Sequence, residues 1–322
     1  MKKDRIGKYL EKYGDEFVFD EFSPKYLEKE RLSDIMKGVP VPLRTRDVVD
    51  FHGPKGLPLA HLAENMARVM GINPDFQYAP SYMRYIRKYF NDKIVDALVK
   101  EGRDEAEEGQ LDHAAIHFRA ALLFSPEDLH AMYSYARACR ELYLAEEGGD
   151  PNYIGAFKAE SMEYFERCTQ VHPAFAQAWY FLGYAYLNMG LYLKAALVWK
   201  EFLKRSRNGK DKKEIRERLE QLEDPVKIET GCNHMLAGRF EQGLSTLEPY
   251  VETRYESWWP LHYYLGVGYS RTGEAERAIR HFKRALSLSP SHGESMEELS
   301  ALYEALGDSV LAEKYRKKRE LV

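Results

Sequence analysis

Residues 176–199, AQAWYFLGYAYLNMGLYLKAALVW, form the most apolar passage of this 322-residue chain, and Lys194 is the one charged residue in it. About 20 apolar residues are enough to cross a bilayer, so the passage has the length of a membrane span. However, Gly190 interrupts it, and a membrane span gives no reason for a glycine there. Recurrence of the same residue types at the same spacing would instead indicate a buried helical hairpin.

That recurrence is found in residues 262–290, HYYLGVGYSRTGEAERAIRHFKRALSLSP. Gly183 precedes Ala195 by twelve residues, as Gly266 precedes Ala278, and an aromatic residue follows each alanine four positions later. Leu, Gly and Tyr at positions i, i+1 and i+4 share one face of a helix, where the small residue lets a second helix approach closely. The pattern therefore predicts a two-helix hairpin that is repeated along the chain.

The pattern resembles the tetratricopeptide repeat (TPR), whose 34-residue signature is W-x2-L-G-x2-Y, then A-x3-F, then P. Gly190 and Gly273 are expected to end the first helix in the left-handed conformation, and Pro290 to end the second. Weaker copies extend in both directions. The predicted fold class is all-α, an α-solenoid of about six TPR-like hairpins over 95–322 behind an irregular, partly helical region, 1–94. The copies fall near 95–128, 129–173, 176–209, 224–257, 259–292 and 293–322.

Two features depart from the repeat pattern. In the first copy, Glu101 and Glu105 replace an expected leucine and an expected aromatic residue. This substitution indicates a first helix that is exposed or is covered by the N-terminal region. A charged helix is predicted near 210–224, and the basic run 204–218 is either a solvated spacer or a contact site for an acidic partner or RNA.

The N-terminal region holds seven of the fourteen prolines. Residues 58–71 and 80–102 are predicted to be helical, whereas the prolines within 37–56 exclude a regular helix there. We interpret the region as a cap on the first repeat or as a docking or regulatory segment. A helix-turn-helix DNA reader within 62–89 is the alternative, and it would make the chain a regulator that binds DNA or senses a peptide. However, Pro74 and Pro80 fall where its turn and its recognition helix should be.

Composition and side-chain spacing argue against enzyme activity and against a metal site. A net charge of −4 argues against a dedicated nucleic-acid binder, and the three separated cysteines do not form a disulfide framework. His113 and His117 have the spacing of metal ligands but lack a third ligand, and we expect both to face outward. We therefore predict no enzyme activity, no metal and no cofactor. No apolar segment follows the basic start, so the expected location is cytoplasmic, without a membrane anchor.

The resemblance implies that the first helices of successive repeats line a groove that binds a protein or a peptide. Tyrosine and arginine dominate binding hot spots, and both occur at groove positions here. The resemblance does not extend to the clamp for a chaperone C-terminus, because four of its five positions (Val99, Ser134, Gln177 and Phe181, beside Arg103) are uncharged. The predicted groove residues are His130, Tyr133, Arg137, Arg140, Gln177, Tyr180, Tyr184, Asn188, Tyr263 and Arg271, followed by the acidic Glu294, Glu297 and Glu304.

Outside the groove positions, the sequence ESWWP (256–260) places two tryptophans side by side. Adjacent residues on a helix point in different directions, so we expect one ring to pack and the other to be exposed. An exposed tryptophan would mark a contact site.

Overall fold

The computed structural model describes residues 4–91, 93–146 and 148–322. Its backbone contacts divide the chain into two units. The N-terminal unit comprises the residues up to Asn188 together with Lys204–Ser206, and the C-terminal unit comprises Met189–Leu203 and Arg207–Val322.

The first part of the N-terminal unit is built from short elements and two longer helices. A small two-stranded antiparallel sheet, which was not predicted from the sequence, pairs Phe17 with Arg44. One of its strands and a short helix lie within the proline-containing stretch 37–56, where a regular helix was excluded. The elements are α1 Gly7–Leu10, β1 Phe17–Asp20, α2 Pro24–Lys29, α3 Ser33–Met36, β2 Val41–Arg44, α4 Val48–His52, α5 Leu59–Ile72 and α6 Ala79–Phe90, with 3₁₀ turns at Glu11–Glu16 and Thr45–Asp47.

The rest of the described chain is helical, which confirms the predicted fold class of TPR-like hairpins. The predicted charged helix near 210–224 is present as α13. The helices are α7 Lys93–Glu107, α8 Leu111–Phe124, α9 Leu129–Ala145, α10 Pro151–Val171, α11 Ala176–Asn188, α12 Tyr192–Arg205, α13 Gly209–Gln221, α14 Glu223–Leu236, α15 Phe240–Leu247, α16 Trp259–Arg271, α17 Ala275–Leu288, α18 Gly293–Ala305 and α19 Ser309–Glu320, with a 3₁₀ turn at Glu248–Tyr250.

Consecutive helices pack as hairpins in which small residues lie against larger side chains, such as Gly102 against Phe118. In the N-terminal unit α7 packs on α8 and α9 on α10, and in the C-terminal unit α14 packs on α15, α16 on α17 and α18 on α19. Gly190 and Gly273 have φ of 70° and 85°, the left-handed conformation predicted from the repeat. The turn after each first helix is therefore sharp enough to return the chain against it.

Helix α5 covers the first hairpin by packing on α8. Met66 and Met70 of α5 are fully buried in a hydrophobic cluster that also contains Ile116 and Phe118 of α8. Arg68, 2% exposed, reaches from α5 to Glu105, with 2.9 Å between Nη1 and Oε1. Of the two unusual glutamates of the first copy, Glu105 is thus covered by the N-terminal region, whereas the side chain of Glu101 is 51% exposed.

The outward orientation expected for His113 and His117 is wrong. His117 is 1% exposed, and its Nδ1 lies 2.6 Å from Oε2 of Glu105. Nδ1 of His113 lies 2.5 Å from Nη2 of Arg68. Both rings turn inward because α5 brings a buried guanidinium to this helix face, and periodicity within α8 alone does not reveal that partner.

Candidate functional site

The predicted groove residues of the N-terminal unit lie on α9 and α11, the first helices of two successive hairpins. Helix α9 begins where the side chain of Asp128 accepts a hydrogen bond from the Ala131 backbone N–H at 2.8 Å. The ring of Phe181 on α11 stacks on Phe165 with centroids 5.7 Å apart and lies 6.0 Å from the ring of Tyr133 on α9. An aromatic cluster therefore sets the spacing of the two helices.

Two arginines of α9 lie over this cluster. The guanidinium carbons of Arg137 and Arg140 are 4.4 Å and 5.5 Å from the ring centroid of Phe181. Both arginines approach the carboxylate of Glu141, Arg140 at 2.7 Å and Arg137 at 3.8 Å. In the part of the chain that the structure describes, the buried Nε atoms of both arginines have no hydrogen-bond partner. The face thus presents two guanidinium groups that are held against an aromatic ring by cation–π attraction.

Tyr180 and Tyr184 occupy successive turns of α11 beside Phe181. Their ring centroids are 5.1 Å apart, and both side chains are half-buried. Burial raises the pKa of Tyr133, so its hydroxyl stays protonated at neutral pH. We call this surface the arginine–aromatic face, and it consists of Tyr133, Arg137, Arg140, Tyr180, Phe181 and Tyr184.

The remaining predicted residues of this unit are peripheral. His130 and Asn188 are exposed, and Gln177 is half-buried. The carbonyl of Asn188 accepts a hydrogen bond from Nζ of Lys158 at 2.6 Å. The face continues instead toward α7, where a cavity of about 380 Å³ is lined by Arg103, Tyr133, Ser134, Arg137 and Glu141, among others.

In the C-terminal unit, the first helices α14, α16 and α18 enclose a second cavity, of about 510 Å³. Its aromatic residues are Trp259, Tyr263, Tyr264 and His292, and its charged residue is Glu294. Met235, Leu236, Pro260 and Val267 supply the apolar remainder of the lining. Of the predicted groove residues, Tyr263 and Glu294 lie in this cavity.

The other predicted residues of this unit form exposed ion pairs. Nη2 of Arg271 lies 2.9 Å from Oε1 of Glu298, which the sequence analysis did not single out. The other two pairs join α18 to α19, with nitrogen–oxygen distances of 3.2 Å and 3.1 Å. They are Arg319–Glu297 and Arg316–Glu304.

The helices proposed as a possible DNA reader bind their own N-terminal segment. Tyr82 and Tyr85 of α6 are fully buried. Nζ of Lys88 donates to the carbonyls of Glu30 and Arg31 at 2.6 Å and 2.8 Å. On the described residues, the basic side chains of α6 are thus partly engaged within the fold.

The cysteines do not resemble nucleophiles. Cys139, Cys168 and Cys232 are buried, and burial raises the pKa of the Cys168 and Cys232 thiols to about 12. No group of three or more His, Cys, Asp or Glu side chains in residues 4–91, 93–146 and 148–322 is arranged to hold a metal ion. A search of the same residues finds no helix with both the length and the apolar composition of a membrane span.

Two models of the tetratricopeptide repeat family match this chain, one at residues 176–208 and the other at 259–292. These ranges coincide with helices α11–α12 and α16–α17. A relative from Pseudomonas putida, a probable biofilm formation methyltransferase named WspC, is 36% identical over 72 residues. The match covers 22% of this chain and only 17% of that relative.

Solved structures with a similar arrangement of helices include the TPR domain of P58(IPK) and MamA from Desulfovibrio magneticus RS-1. The first is 22% identical, with 70% of this chain and 60% of that chain covered and a TM-score of 0.39. The second is 18% identical, with 57% and 93% covered and a TM-score of 0.33.

Proposed function

This chain is a tetratricopeptide repeat protein, and on that premise we propose that it is a non-catalytic adaptor that binds a protein or peptide on its arginine–aromatic face. Repeats of this kind support protein interaction. The observation that carries the specific proposal is the position of Arg137 and Arg140 over Phe181.

The residue types on this face suit binding. Tyrosine and arginine offer large contact areas and hydrogen bonds, and side chains that are already packed lose little conformational entropy when a ligand arrives. Tyr180 contacts both Tyr184 and Phe181, with ring centroids 5.1 Å apart in each pair. A ligand would therefore meet a largely preformed surface.

The charges on this face favour an acidic ligand group. Guanidinium groups bind carboxylates through paired N–H donors, and the side chains of Arg137 and Arg140 are 40% and 21% exposed. Glu141 already pairs with these arginines, so a ligand carboxylate would compete with it or complete the network. We propose a polypeptide with a carboxylate next to an apolar or aromatic side chain.

The test is capture of partners from the native cell, followed by mass spectrometry. The double variant Tyr180→Ala with Tyr184→Ala should lower the amount of captured partner roughly tenfold or more, because hot-spot truncations cost that much in affinity. Gln170→Ala, an exposed change on α10, serves as the matched control and should leave capture unchanged. Circular dichroism should show equal helical content in all variants. Equal capture by the double variant and the wild type would refute the assignment of this face.

The methyltransferase named among the relatives does not alter this proposal, since the similarity covers a small part of that protein. A regulator that binds DNA through residues 58–94 remains the alternative. Strongly salt-dependent binding of the full chain to duplex DNA, lost when Arg87 and Lys88 are both changed to Gln, would favour it.

A further inference from the structure

The adjacent tryptophans of the C-terminal unit lie in different environments. Trp258 is 38% exposed and does not line the cavity at α14, α16 and α18, whereas Trp259 does. The ring centroid of Trp259 is 4.2 Å from that of His292. The tryptophan that packs is thus the one that also borders an open volume.

Three further rings surround the same volume. Tyr263 lies 5.3 Å from Tyr264 at an interplanar angle of 62°, and 4.8 Å from His292 at 70°. At these angles the ring planes face in different directions, so the rings do not form one stack. Such a group of rings offers π-electron density from several directions, as in the aromatic sites that bind cations.

His292 is a neutral member of this group. Its Nδ1 accepts a hydrogen bond from the Ser295 backbone N–H at 3.2 Å, so the ring proton resides on Nε2. Nε2 lies 3.3 Å from Oε2 of Glu294. Burial lowers the pKa of His292, consistent with a neutral ring at pH 7.

The formal charge of the cavity is therefore negative. Among the described residues that line it, Glu294 is the charged one, and its side chain is 67% exposed. The pKa of Tyr263 is raised first by burial and then by the negative charges of Glu298 and Glu294, so the ring lies near negative charge. Aromatic walls with one carboxylate complement a cation that carries apolar methylene groups.

We propose that this cavity binds the basic side chain, lysine or arginine, of a bound peptide. The proposal rests on the proposed function in that the ligand is a polypeptide held by first helices. The methylene groups would contact Met235 and the rings, while the cationic group would lie against the π faces and Glu294. The cavity volume of about 510 Å³ is ample for such a side chain.

The test uses the full chain labelled with ¹³C at its methionine methyl groups, because Met235 lines the cavity and stays in every variant. The probes are acetyl-Ala-X-Ala-amide peptides in which X is lysine, arginine, norleucine or glutamate. Norleucine keeps the methylene chain of lysine without its charge. The lysine or the arginine probe should shift the Met235 signal with an affinity about tenfold above that of the norleucine probe. Norleucine binding as tightly as both would overturn the proposal, as would tighter binding of glutamate.

Substitutions inside and outside the cavity test which residues produce the preference for the cationic probe. Trp259→Leu and Glu294→Gln should each remove most of the preference for the cationic probe over norleucine, whereas Trp258→Leu should leave it intact. Equal loss in both tryptophan variants, or an unchanged preference in Glu294→Gln, would contradict the assignment.

A separate arm distinguishes this inference from the proposed function. The Tyr180→Ala, Tyr184→Ala variant should bind the cationic probe as the wild type does. If cationic probes fail while partner capture still depends on Tyr180 and Tyr184, the cavity assignment is wrong and the adaptor proposal stands. If the cationic probes bind selectively while partner capture does not depend on Tyr180 and Tyr184, the cavity assignment stands and the assignment of the arginine–aromatic face is wrong.

Discussion

A Cβ atom placed on Gly102 would lie 2.7 Å from Cε1 of Phe118. Gly266 and Phe282 show the same relationship, with 2.7 Å between the added Cβ and Cδ1 of the ring. Both phenylalanines are buried, so neither ring has room to retreat. The close approach of the two helices in each hairpin depends on this glycine.

Gly102→Ala should therefore destabilise the protein. Overpacking of a tight core costs about 1–3 kcal/mol, which should appear as a lower midpoint of thermal unfolding followed by circular dichroism. Gly155, within α10, is the matched control because an added Cβ there meets nothing within 4 Å. Gly155→Ala should raise stability by about 0.5–1 kcal/mol through helix propensity. Two alanine variants of equal stability would show that the glycine contact does not hold the hairpin together.

This contact illustrates what sequence spacing can reveal. The glycine and the aromatic residue have the same separation in both of these hairpins, and so has the contact between them, so one pattern predicts both the element and its packing. Arg68, Glu105 and His117 follow no such repeat. Their meeting depends on α5 packing on α8, a long-range contact that local periodicity does not encode.

Arg68→Ala should be strongly destabilising. Its guanidinium is 2% exposed and pairs with Glu105 and Glu16, so truncation leaves a buried carboxylate without its cation. Although burial opposes ionisation, hydrogen bonding to His117 and the charge of Arg68 hold the pKa of Glu105 below its ordinary value. Removing one partner of a buried ion pair costs about 3–5 kcal/mol, measurable by denaturant unfolding.

Arg84→Ala is the control for this variant. Arg84 pairs with Asp34 at 3.1 Å, but the two side chains are 57% and 72% exposed. Exposed pairs contribute about 0–1 kcal/mol, so the change should be small. A loss at Arg68 no larger than that at Arg84 would contradict the structural role of the buried network.

The C-terminal unit should lose stability in mild acid because of a histidine pair in which His262 is buried and His281 is half-buried. Nδ1 of His262 lies 3.1 Å from Nδ1 of His281, and Nε2 of His262 is 2.7 Å from the Glu256 carbonyl oxygen. Burial lowers the pKa of His262 and lowers that of His281 to about 4. The unfolded rings, with pKa near 6.5, take up protons first, so stability should fall as the pH drops from about 6.5 to about 4.

In the His281→Gln variant, the glutamine amide N–H can still donate a hydrogen bond to His262, but the side chain no longer titrates. The unfolding midpoint should therefore depend less on pH between 7 and 4.5. His130→Asn, a change of an exposed histidine, should leave that dependence as in the wild type. If the wild type showed the same midpoint across this interval, the neutral pair would have no linkage to stability.

The candidate site was predictable in part. The resemblance to TPR proteins supplied the positions of Tyr133, Arg137, Tyr180 and Tyr184, because groove residues occupy set positions on first helices. It did not place Phe181 among the groove residues, although Arg137 and Arg140 lie over its ring. Phe181 stands among other aromatic residues, so its spacing does not distinguish it from them. The sequence predicted that the two adjacent tryptophans differ in environment, but which of them packs depends on helices α14 and α18, which come from other parts of the sequence.

The most direct test of the central claim is photocrosslinking in the native cell with p-benzoylphenylalanine at position 184, on the arginine–aromatic face, and at position 170, on the exposed side of α10. We expect position 184 to yield a discrete crosslinked polypeptide that is absent at position 170. Crosslinks to the same polypeptides at both positions, or products at position 170 alone, would contradict binding by the arginine–aromatic face.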